Sequence, residues 1–429
     1  MKLDRPTRAC TLLLAVCFSG SSHSAYGQTI DQAIWAAFEV SPSIDRSESE
    51  RLAAREGVVQ ARAAYLPEVS LDASISTSQR DARLRGSSDF SETSEPSSAT
   101  IRLEQSLYTN GLRPIAQRRA AVGARARTFE LAATQNAVAL QTVEAMVRLH
   151  QARAMLESEF RLKELIVTQL VAEQERFRLE TGTVTDVTQA EARLAAAEAS
   201  IARAEAELLQ AERLVELLTG LTPSVSLPPL VTPETPASLD EALFYAREYA
   251  PELALARSAF DVSRLAVASA SRQYGPQVGL SVEASTSRRP SPAIEQDDDV
   301  RATITLSVPL FNGGRDSSER RQAFAQRNAS EADMRQAEQD LELKITASWL
   351  SYISAEQQIR ALEVRLSAAG QALEGVRQGR SAGLWTVSDI LDAMEHQIAA
   401  EQDLTEARSA QIVSAYELSI ACALYELPF

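Results

Sequence analysis

The sequence has few of the cysteine and histidine residues that form disulfide bonds in small exported domains or bind metal ions. It contains three cysteines and three histidines among 429 residues. Only Cys422 lies beyond residue 27, which excludes an internal disulfide and a cysteine-based zinc site in a processed chain. His150 and His396 lack a second ligand four residues away, so neither indicates a metal site. We therefore expect no metal and no other cofactor.

Long apolar runs and an excess of basic residues are also missing. No run of about 18 apolar residues follows the N-terminal segment, so any membrane-crossing part would need strands closed into a barrel. Acidic residues outnumber basic ones by 58 to 43, which argues against nucleic acid as a partner. No nucleophile, base and orienting group share a recognisable arrangement, which argues against an enzyme.

The N-terminus carries the pattern of a secretory signal. The basic segment "MKLDRPTRAC" is followed by the apolar run "TLLLAVCF" and the small-residue stretch "SGSSHSAYGQ". This order predicts a signal peptide over residues 1–27 and a mature chain starting near Gln28. Removal of that segment takes away three basic residues and one acidic residue and leaves a net charge of −17. An exported chain without disulfides fits a Gram-negative envelope.

The rest of the chain contains two copies of one plan. Four blocks recur in the same order: "TIDQAIWAAFEVSP" (29–42) as "SLDEALFYAREYAP" (238–251), "AAYLPEVSLDASIS" (63–76) as "RQYGPQVGLSVEAS" (272–285), "LYTNGLR" (107–113) as "LFNGGR" (310–315), and "TVTDVTQA" (183–190) as "TVSDILDA" (386–393). The pattern indicates duplication. It predicts a first repeat over 28–219, a proline-rich linker over 220–238 and a second repeat over 239–429.

Each copy begins with a helix and continues into two alternating segments. The helix is expected to run to Pro67 or to Pro276. Apolar residues then alternate with polar ones, as in the run from Glu68 to Ile75, and each segment has roughly the 9 to 11 residues of a tilted membrane strand. The polar stretches 78–98 and 287–299 are expected to be surface loops.

A very long helical stretch follows each strand pair. No proline occurs over 115–222 or 310–427, and strong helix formers dominate both stretches. A turn signal at Gly182 and another at Gly379 to Gly383 divide each stretch into arms of about 65 and about 35 residues, and the longer arm would reach roughly 100 Å. The spacing of four apolar residues suggests coiled-coil packing: Leu194, Ile201, Leu208 and Val215.

Four strands cannot close a lipid-spanning barrel alone, so other copies of the chain must complete it. At this point the blocks resemble the TolC family of outer-membrane channel proteins over essentially the whole mature length. The resemblance rests on the two repeat starts "DQAI" and "DEAL" and on "AYLP", "LYTNG", "VPLFNGGR", "TDVTQAEARL" and "SDILDA" in their order and spacing.

The resemblance implies a mainly α fold with a membrane β-barrel part. Three chains would each give four strands to a 12-stranded barrel in the outer membrane, continued by an α-helical tunnel through the periplasm. The expected partners of this homotrimer are outer-membrane lipid, a periplasmic adaptor and an inner-membrane ABC or RND transporter. The segments "GTVTDVTQAEARLAAAEASIARAEAEL" and "LLTGLTP" favour type I secretion. An RND-type multidrug efflux duct is the alternative, and a periplasmic coiled-coil scaffold without a pore is the rival from another class.

The resemblance also implies a constricted periplasmic entrance. The family pattern D-x-x-D-A places acidic rings at Asp389 and Asp392. Trp385 and Arg380 stand four and nine residues before Asp389, where the family often has an arginine and a tyrosine that tether neighbouring coils. We expect an ion pair between Asp186 and Arg380, with Trp385 replacing a polar tether by packing.

Two further sets of residues are expected at turns. The hairpin tips that would dock the adaptor contain Gly182, Thr183, Gly383 and Leu384. The strand-to-helix turns contain Gly111, Gly313 and Gly314, and positive φ is expected at the last two. "FNGGR" lacks the lysine and hydroxyl of a phosphate loop, and "EQDDD" (295–299) lacks the spacing of a calcium loop, so neither predicts a ligand site.

Overall fold

A computed structural model describes residues 29–82, 90–224, 228–291, 294–381 and 384–425. The predicted signal peptide and Gly383 lie outside these ranges. The helices are α1 (Ile30–Val40), α2 (Pro42–Ala63), α3 (Leu112–Arg178), α4 (Val184–Thr219), α5 (Leu239–Tyr249), α6 (Pro251–Arg272), α7 (Arg315–Ser381) and α8 (Val387–Ala421). The strands are β1 (Glu68–Ile75), β2 (Ser78–Ala82), β3 (Phe90–Ser94), β4 (Ser97–Tyr108), β5 (Gln277–Ser291) and β6 (Ile294–Ser307).

The first helix of each repeat is broken once, which the sequence reading missed. Pro42 and Pro251 each occupy the first turn of a second helix, and the residues before them, Ser41 and Ala250, have extended ψ angles of 114° and 120°. Proline disfavours the helical conformation in the preceding residue and has no N–H to donate. The prediction of one continuous helix was therefore wrong, and each repeat starts with two helices joined at a proline.

The four long strands form one antiparallel sheet in the order β1-β4-β5-β6. The β4–β5 pairing joins the two repeats, with Leu103 opposite Val282. Val69 lies opposite Leu103 on the other side, and Val282 lies opposite Ala302, so an apolar row crosses all four strands. Several side chains of this apolar face are exposed in the single chain; Val69 is 64% exposed and Ile304 is 70% exposed. The strands β1 and β6 each have one edge without a partner strand within the described chain.

The predicted surface loops contain more strand than expected. The first loop includes a small hairpin, because β2 pairs with β3 over the register Ser78 to Ser94. In the second loop, β5 and β6 continue as a paired ladder well past the apolar zone, to Arg288 opposite Gln296. Backbone hydrogen bonds hold a hairpin together whatever the side chains, so polar residues end the apolar face without ending the strands.

The two hairpin arms have the lengths predicted. The helices α3 and α7 have 67 residues each, and the returning helices α4 and α8 have 36 and 35. A helix of this length reaches about 100 Å at the usual rise. The predicted coiled-coil seam of α4 is largely enclosed, since Ile201 and Val215 are buried and Leu194 and Leu208 pack partly buried against the core.

Three separate apolar clusters hold the helices together along this length. One joins α1, α3, α4 and α8 around Met146 and Val215, and another joins α5, α6, α7 and α8 around Ile345. The third, which we call the tip cluster, lies near the ends of both hairpins and consists of Leu162, Ile166, Ala190, Ala197, Leu373, Val387, Ile390, Leu391, Met394 and Ile398. Burial of each large apolar side chain there contributes roughly 1.5–3 kcal/mol.

No helix among the described residues combines the length and apolar character needed to cross a lipid bilayer. The predicted fold class is confirmed: the chain is mainly helical, its four long strands form one sheet, and the two halves repeat the same order of short helices, strand pair and long hairpin.

Candidate functional site

The two hairpin tips are built by the same local turn. In the first, the N–H groups of Thr181 and Gly182 donate to the carbonyl of Arg176 at 2.9 and 3.1 Å. In the second, the N–H of Leu384 donates to the carbonyl of Gly379 at 2.9 Å. These bonds close the ends of the two long helices in the manner of a Schellman motif. The turns therefore place Gly182 and Thr183 at the end of the first hairpin and Leu384 at the end of the second, and Gly383 lies outside the described residues.

A capping box starts each returning helix. The N–H of Asp186 donates to the Thr183 hydroxyl at 3.2 Å, and the Thr183 N–H donates to the Asp186 carboxylate at 3.2 Å. At α8, the Thr386 N–H donates to Asp389 at 2.7 Å and the Thr386 hydroxyl does so at 2.6 Å. The pattern T-x-x-D at a helix start accounts for both boxes.

These bonds fix the charge of Asp389. The pKa of Asp389 lies below its ordinary value because the Thr386 hydroxyl and then the Thr386 N–H donate to the carboxylate, and the charge of Arg380 adds to the effect. Asp389 is therefore ionised at neutral pH. Its carboxylate is also oriented, because both of its hydrogen bonds come from one residue at the start of the helix.

The two tips differ in which of two contacting positions holds glycine and which holds a large side chain. A side chain at Gly182 would crowd the backbone and Cβ of Arg176. At the second tip, a Cβ on Gly379 would overlap the indole of Trp385. Positions 182 and 385 correspond in the duplication, as do 176 and 379. The small and large partners have thus changed places, and Trp385 packs on the end of its own helix α7 while its side chain remains 46% exposed.

The predicted ion pair between Asp186 and Arg380 does not form within the described chain. The Nη2 of Arg380 lies 3.2 Å from the carboxylate of Glu173 on α3, and its Nη1 donates to the Trp385 carbonyl at 3.0 Å. The Asp186 carboxylate is instead bound by Thr183 in its capping box. Arg380 therefore joins the ends of α3 and α7, whereas Asp186 serves its own helix.

The Arg380 to Glu173 pair is deeply placed. The Glu173 side chain is 1% exposed and that of Arg380 is 17% exposed. Gln169 also donates to Glu173, at 2.6 Å. The Nε of Arg380 is buried without a hydrogen-bond partner among the described residues. Sequence reasoning missed Glu173, because Arg176 lies three residues further along the same helix and already offered it a local partner.

The second predicted acidic position, Asp392, is also paired. The Nη2 of Arg193 on α4 lies 2.6 Å from the Asp392 carboxylate, and its Nη1 lies 2.7 Å from both carboxylate oxygens of Glu395. We call these three side chains the Arg193 cluster. Sequence reasoning missed Arg193 and Glu395, because it treated Asp389 and Asp392 only as members of acidic rings.

Buried residues of α8 determine where its acidic side chains point. Leu391 is 1% exposed, and Val387, Ile390 and Met394 are buried beside it in the tip cluster. Asp389, Asp392 and Glu395 follow at spacings of three and therefore share another side of the helix. The apolar pattern of α8 thus orients one acidic stripe away from the core.

The strand-to-helix turns have the backbone geometry that glycine favours. Gly111 precedes α3 with a φ of 77°, and Gly313 and Gly314 precede α7 with φ of 68° and 83°. These values lie in the left-handed region, where other residues are strained. The positive φ predicted at Gly313 and Gly314 is confirmed. No group of three or more potential metal ligands occurs in the part of the chain that the structure describes.

The comparisons with known proteins agree with this architecture. Outer membrane protein TolC of Vibrio cholerae is 26% identical over 408 residues, which is 91% of each chain. The alkaline protease secretion protein AprF of Pseudomonas aeruginosa is 27% identical over 243 residues, 55% of this chain and 50% of AprF. The CmeC outer membrane channel of Campylobacter jejuni superposes with a TM-score of 0.81 at 13% identity and covers 98% of this chain and 94% of its own, which shows a shared fold.

A family model described as outer membrane efflux protein matches residues 34–221 and 244–422, which together make up most of the chain. The two matched segments have the same order of elements, two short helices, a strand pair and a long hairpin. The chain therefore belongs to the outer membrane efflux protein family, whose members are channels of the Gram-negative outer membrane that extend into the periplasm.

Proposed function

We propose that three copies of the chain form the exit duct of a tripartite export system. The observation that carries this proposal is the sheet: four long strands present an exposed apolar face and two open edges, and they are joined to hairpins of about 100 Å. Open strand edges are not tolerated in lipid, and a ring of identical chains removes them. Three chains contribute 12 strands to the barrel and gather six hairpins into one tunnel.

The hairpin tips form the periplasmic entrance of this duct. The acidic stripes of the three chains face one axis, where Asp389 and Asp392 narrow and charge the opening. Exposed apolar side chains at the tips provide contacts for an adaptor, since Leu384 is 77% exposed and Val184 beside Thr183 is 61% exposed. The docking surface consists of the tip residues Gly182, Thr183, Gly383 and Leu384.

Type I protein secretion is the transport class that we favour, with an ABC exporter as the inner-membrane partner. The similarity to the alkaline protease secretion protein AprF supports it. The alternative is the outer-membrane component of an RND-type efflux pump, which the match to the outer membrane efflux protein family supports. A scaffold without a pore is the weaker reading, because it gives the apolar sheet face no partner.

The test is to purify the protein from outer membranes in detergent, determine its mass by native mass spectrometry and record its conductance in planar bilayers. We expect a trimer, and steady single-channel currents that Mg²⁺ blocks from the periplasmic side. The double variant Asp389→Asn/Asp392→Asn should conduct and resist the block. A monomer that forms no channel would overturn the proposal.

The transport class is tested separately in a strain that lacks its own exit duct. The chain is expressed with an ABC exporter and adaptor or with an RND pump and adaptor, and secreted protease and drug resistance are measured. Restored secretion without restored resistance is expected. Restored resistance alone would assign the chain to efflux.

A further inference from the structure

The Arg193 cluster places a basic side chain of the first hairpin on the acidic stripe of the second. The guanidinium is shared by two carboxylates, at 2.6 Å from Asp392 and 2.7 Å from Glu395. Arg193 lies on α4 and the two acids lie on α8, so the sequence separations are 199 and 202 residues. Asp389, one turn nearer the tip, is held by Thr386, and the charge of Arg380 acts on it.

The charges of this stripe do not balance. Asp389, Asp392, Glu395 and Arg193 together carry a net charge of −2 per chain, whereas the three carboxylates alone would carry −3. The cationic group lies against the two inner acids and leaves Asp389 as the carboxylate without a direct guanidinium partner on the stripe. In a trimer the difference amounts to three unit charges at one constriction.

The Arg193 cluster is partly exposed, which indicates that it affects the electrostatic potential at the entrance more than the stability of the fold. The side chains of Arg193, Asp392 and Glu395 are 38%, 46% and 37% exposed. Exposed ion pairs contribute little to stability, and the tip cluster beneath them already packs α8 against the first hairpin. A fixed charge beside a narrow opening, in contrast, acts on every ion that passes.

We propose that Arg193 is a specificity-determining residue of the entrance, which neutralises the second acidic position and thereby weakens the binding of multivalent cations there. This inference rests on the proposed function, because it requires the stripe to face the pore. Asp389 then provides most of the attraction for cations. Asp392 contributes its full charge to the attraction for cations only when Arg193 is absent.

The test compares Mg²⁺ block of bilayer currents in the full-length trimer and in four variants, of which Asp389→Asn removes the carboxylate that Arg193 does not contact. Arg193→Gln removes the charge, and Arg193→Lys keeps it while losing the forked geometry. The matched control is Arg203→Gln on the same helix, where Arg203 donates to Ser200 at 3.2 Å and not to the stripe. In Arg193→Gln the trimer gains three unneutralised carboxylate charges. Acting on a divalent ion at roughly 10 Å in water and screened over one Debye length, these charges lower the half-blocking Mg²⁺ concentration about fivefold.

We expect this decrease in Arg193→Gln, together with a reversal potential shifted towards cation selectivity. Values near the wild type are expected in Arg193→Lys and Arg203→Gln. If Arg193→Lys shows the same Mg²⁺ block as Arg193→Gln and a raised conductance without Mg²⁺, Arg193 acts by holding the two hairpins together and not by its charge. That result would overturn the proposal. Unchanged block in Arg193→Gln with altered block in Asp389→Asn would overturn it while the proposed function stands. A wild-type protein without channels would overturn both.

Discussion

The buried pair between Glu173 and Arg380 gives a prediction whose size follows from the structure. Arg380→Ala removes the only cation within 4.0 Å of a carboxylate that is 1% exposed, in the part of the chain that the structure describes. Gln169 remains as a donor to Glu173, at 2.6 Å. Breaking a buried pair from one side typically costs 3–5 kcal/mol, and the remaining hydrogen bond places this case at about 3 kcal/mol.

The cost falls on the tip, because the pair joins the last turns of α3 and α7 and Arg380 also holds the Trp385 carbonyl at 3.0 Å. A loss of about 3 kcal/mol raises the equilibrium constant for local opening roughly 100-fold. Hydrogen exchange measured by mass spectrometry on the folded trimer should therefore show tip peptides exchanging roughly 100-fold faster. Peptides around the distant Met146 core should keep the wild-type rate.

Two variants separate the buried charge from a general effect of truncation. Arg178→Ala removes a cation at the same tip that is 71% exposed and pairs with Glu175 at 2.7 Å, so its effect should stay below about 1 kcal/mol. Glu173→Met/Arg380→Met removes both charges and should exchange much more slowly than Arg380→Ala, because apolar residues of similar size replace buried ion pairs at little cost. Tip exchange at the wild-type rate in Arg380→Ala, or a double variant as labile as the single one, would refute the reasoning.

Three further predictions concern the second tip. Gly379→Ala should displace the Trp385 indole and change its fluorescence, whereas Gly375→Ala, where a Cβ meets no atom within 4 Å, should leave the fluorescence unchanged and stabilise α7 by roughly 0.5–1 kcal/mol. Thr386→Ala removes the capping box and should destabilise the start of α8 by about 1 kcal/mol, seen as faster exchange in its first turn and not in its last. The pKa of Asp389 is lowered in the folded protein, so its capping contribution should be complete above the ordinary value of 3.8 and be lost as the pH falls through its lower folded pKa. Exchange at the start of α8, corrected for the intrinsic rate, should show this loss, and Asp389→Asn should remove the pH dependence.

Features that depend on neighbouring residues in the chain were predictable. The hairpin lengths followed from proline-free stretches of helix formers, and the sheet followed from period-two alternation such as that of β1. The turn glycines followed from their place between strand and helix, and Gly313 has the positive φ expected there. These signals are local, because each is determined by the backbone within one or two turns.

The extent of the strands and the break in the first helices were less visible. Pro42 directly follows a sequence that favours helix, and the residues after it favour helix as well. Because proline is accepted in the first turn of a helix, the second helix starts at once and the break is short. The outer part of the β5–β6 hairpin is polar and shows no alternation of apolar and polar residues. Only the strand pairing in the structure reveals that it is extended. In both cases the backbone decides the structure and the side chains give a weak signal.

The ion pairs of the tip were out of reach of sequence reasoning for a different reason. Two acids of the first hairpin compete for Arg380, Glu173 on α3 and Asp186 on α4, and the sequence does not show which of the two helices brings its acid into contact with α7. In the structure the Asp186 carboxylate accepts from Thr183, and Arg380 donates to the buried Glu173. A pairing of this kind follows from competition among acceptors in three dimensions.

The duplication explains how such pairs arise across the two hairpins. The capping box occurs in both copies because it serves the helix that contains it. Residues that face the other hairpin have instead become complementary: Asp392 corresponds to Gln189, and Arg193 corresponds to His396. The contact joins positions that are not equivalent in the duplication, and the corresponding residues Gln189 and His396 include neither a carboxylate nor a guanidinium. Divergence at these two positions gave one hairpin the cation and the other the carboxylate, so the charge of the entrance is a joint property of both repeats.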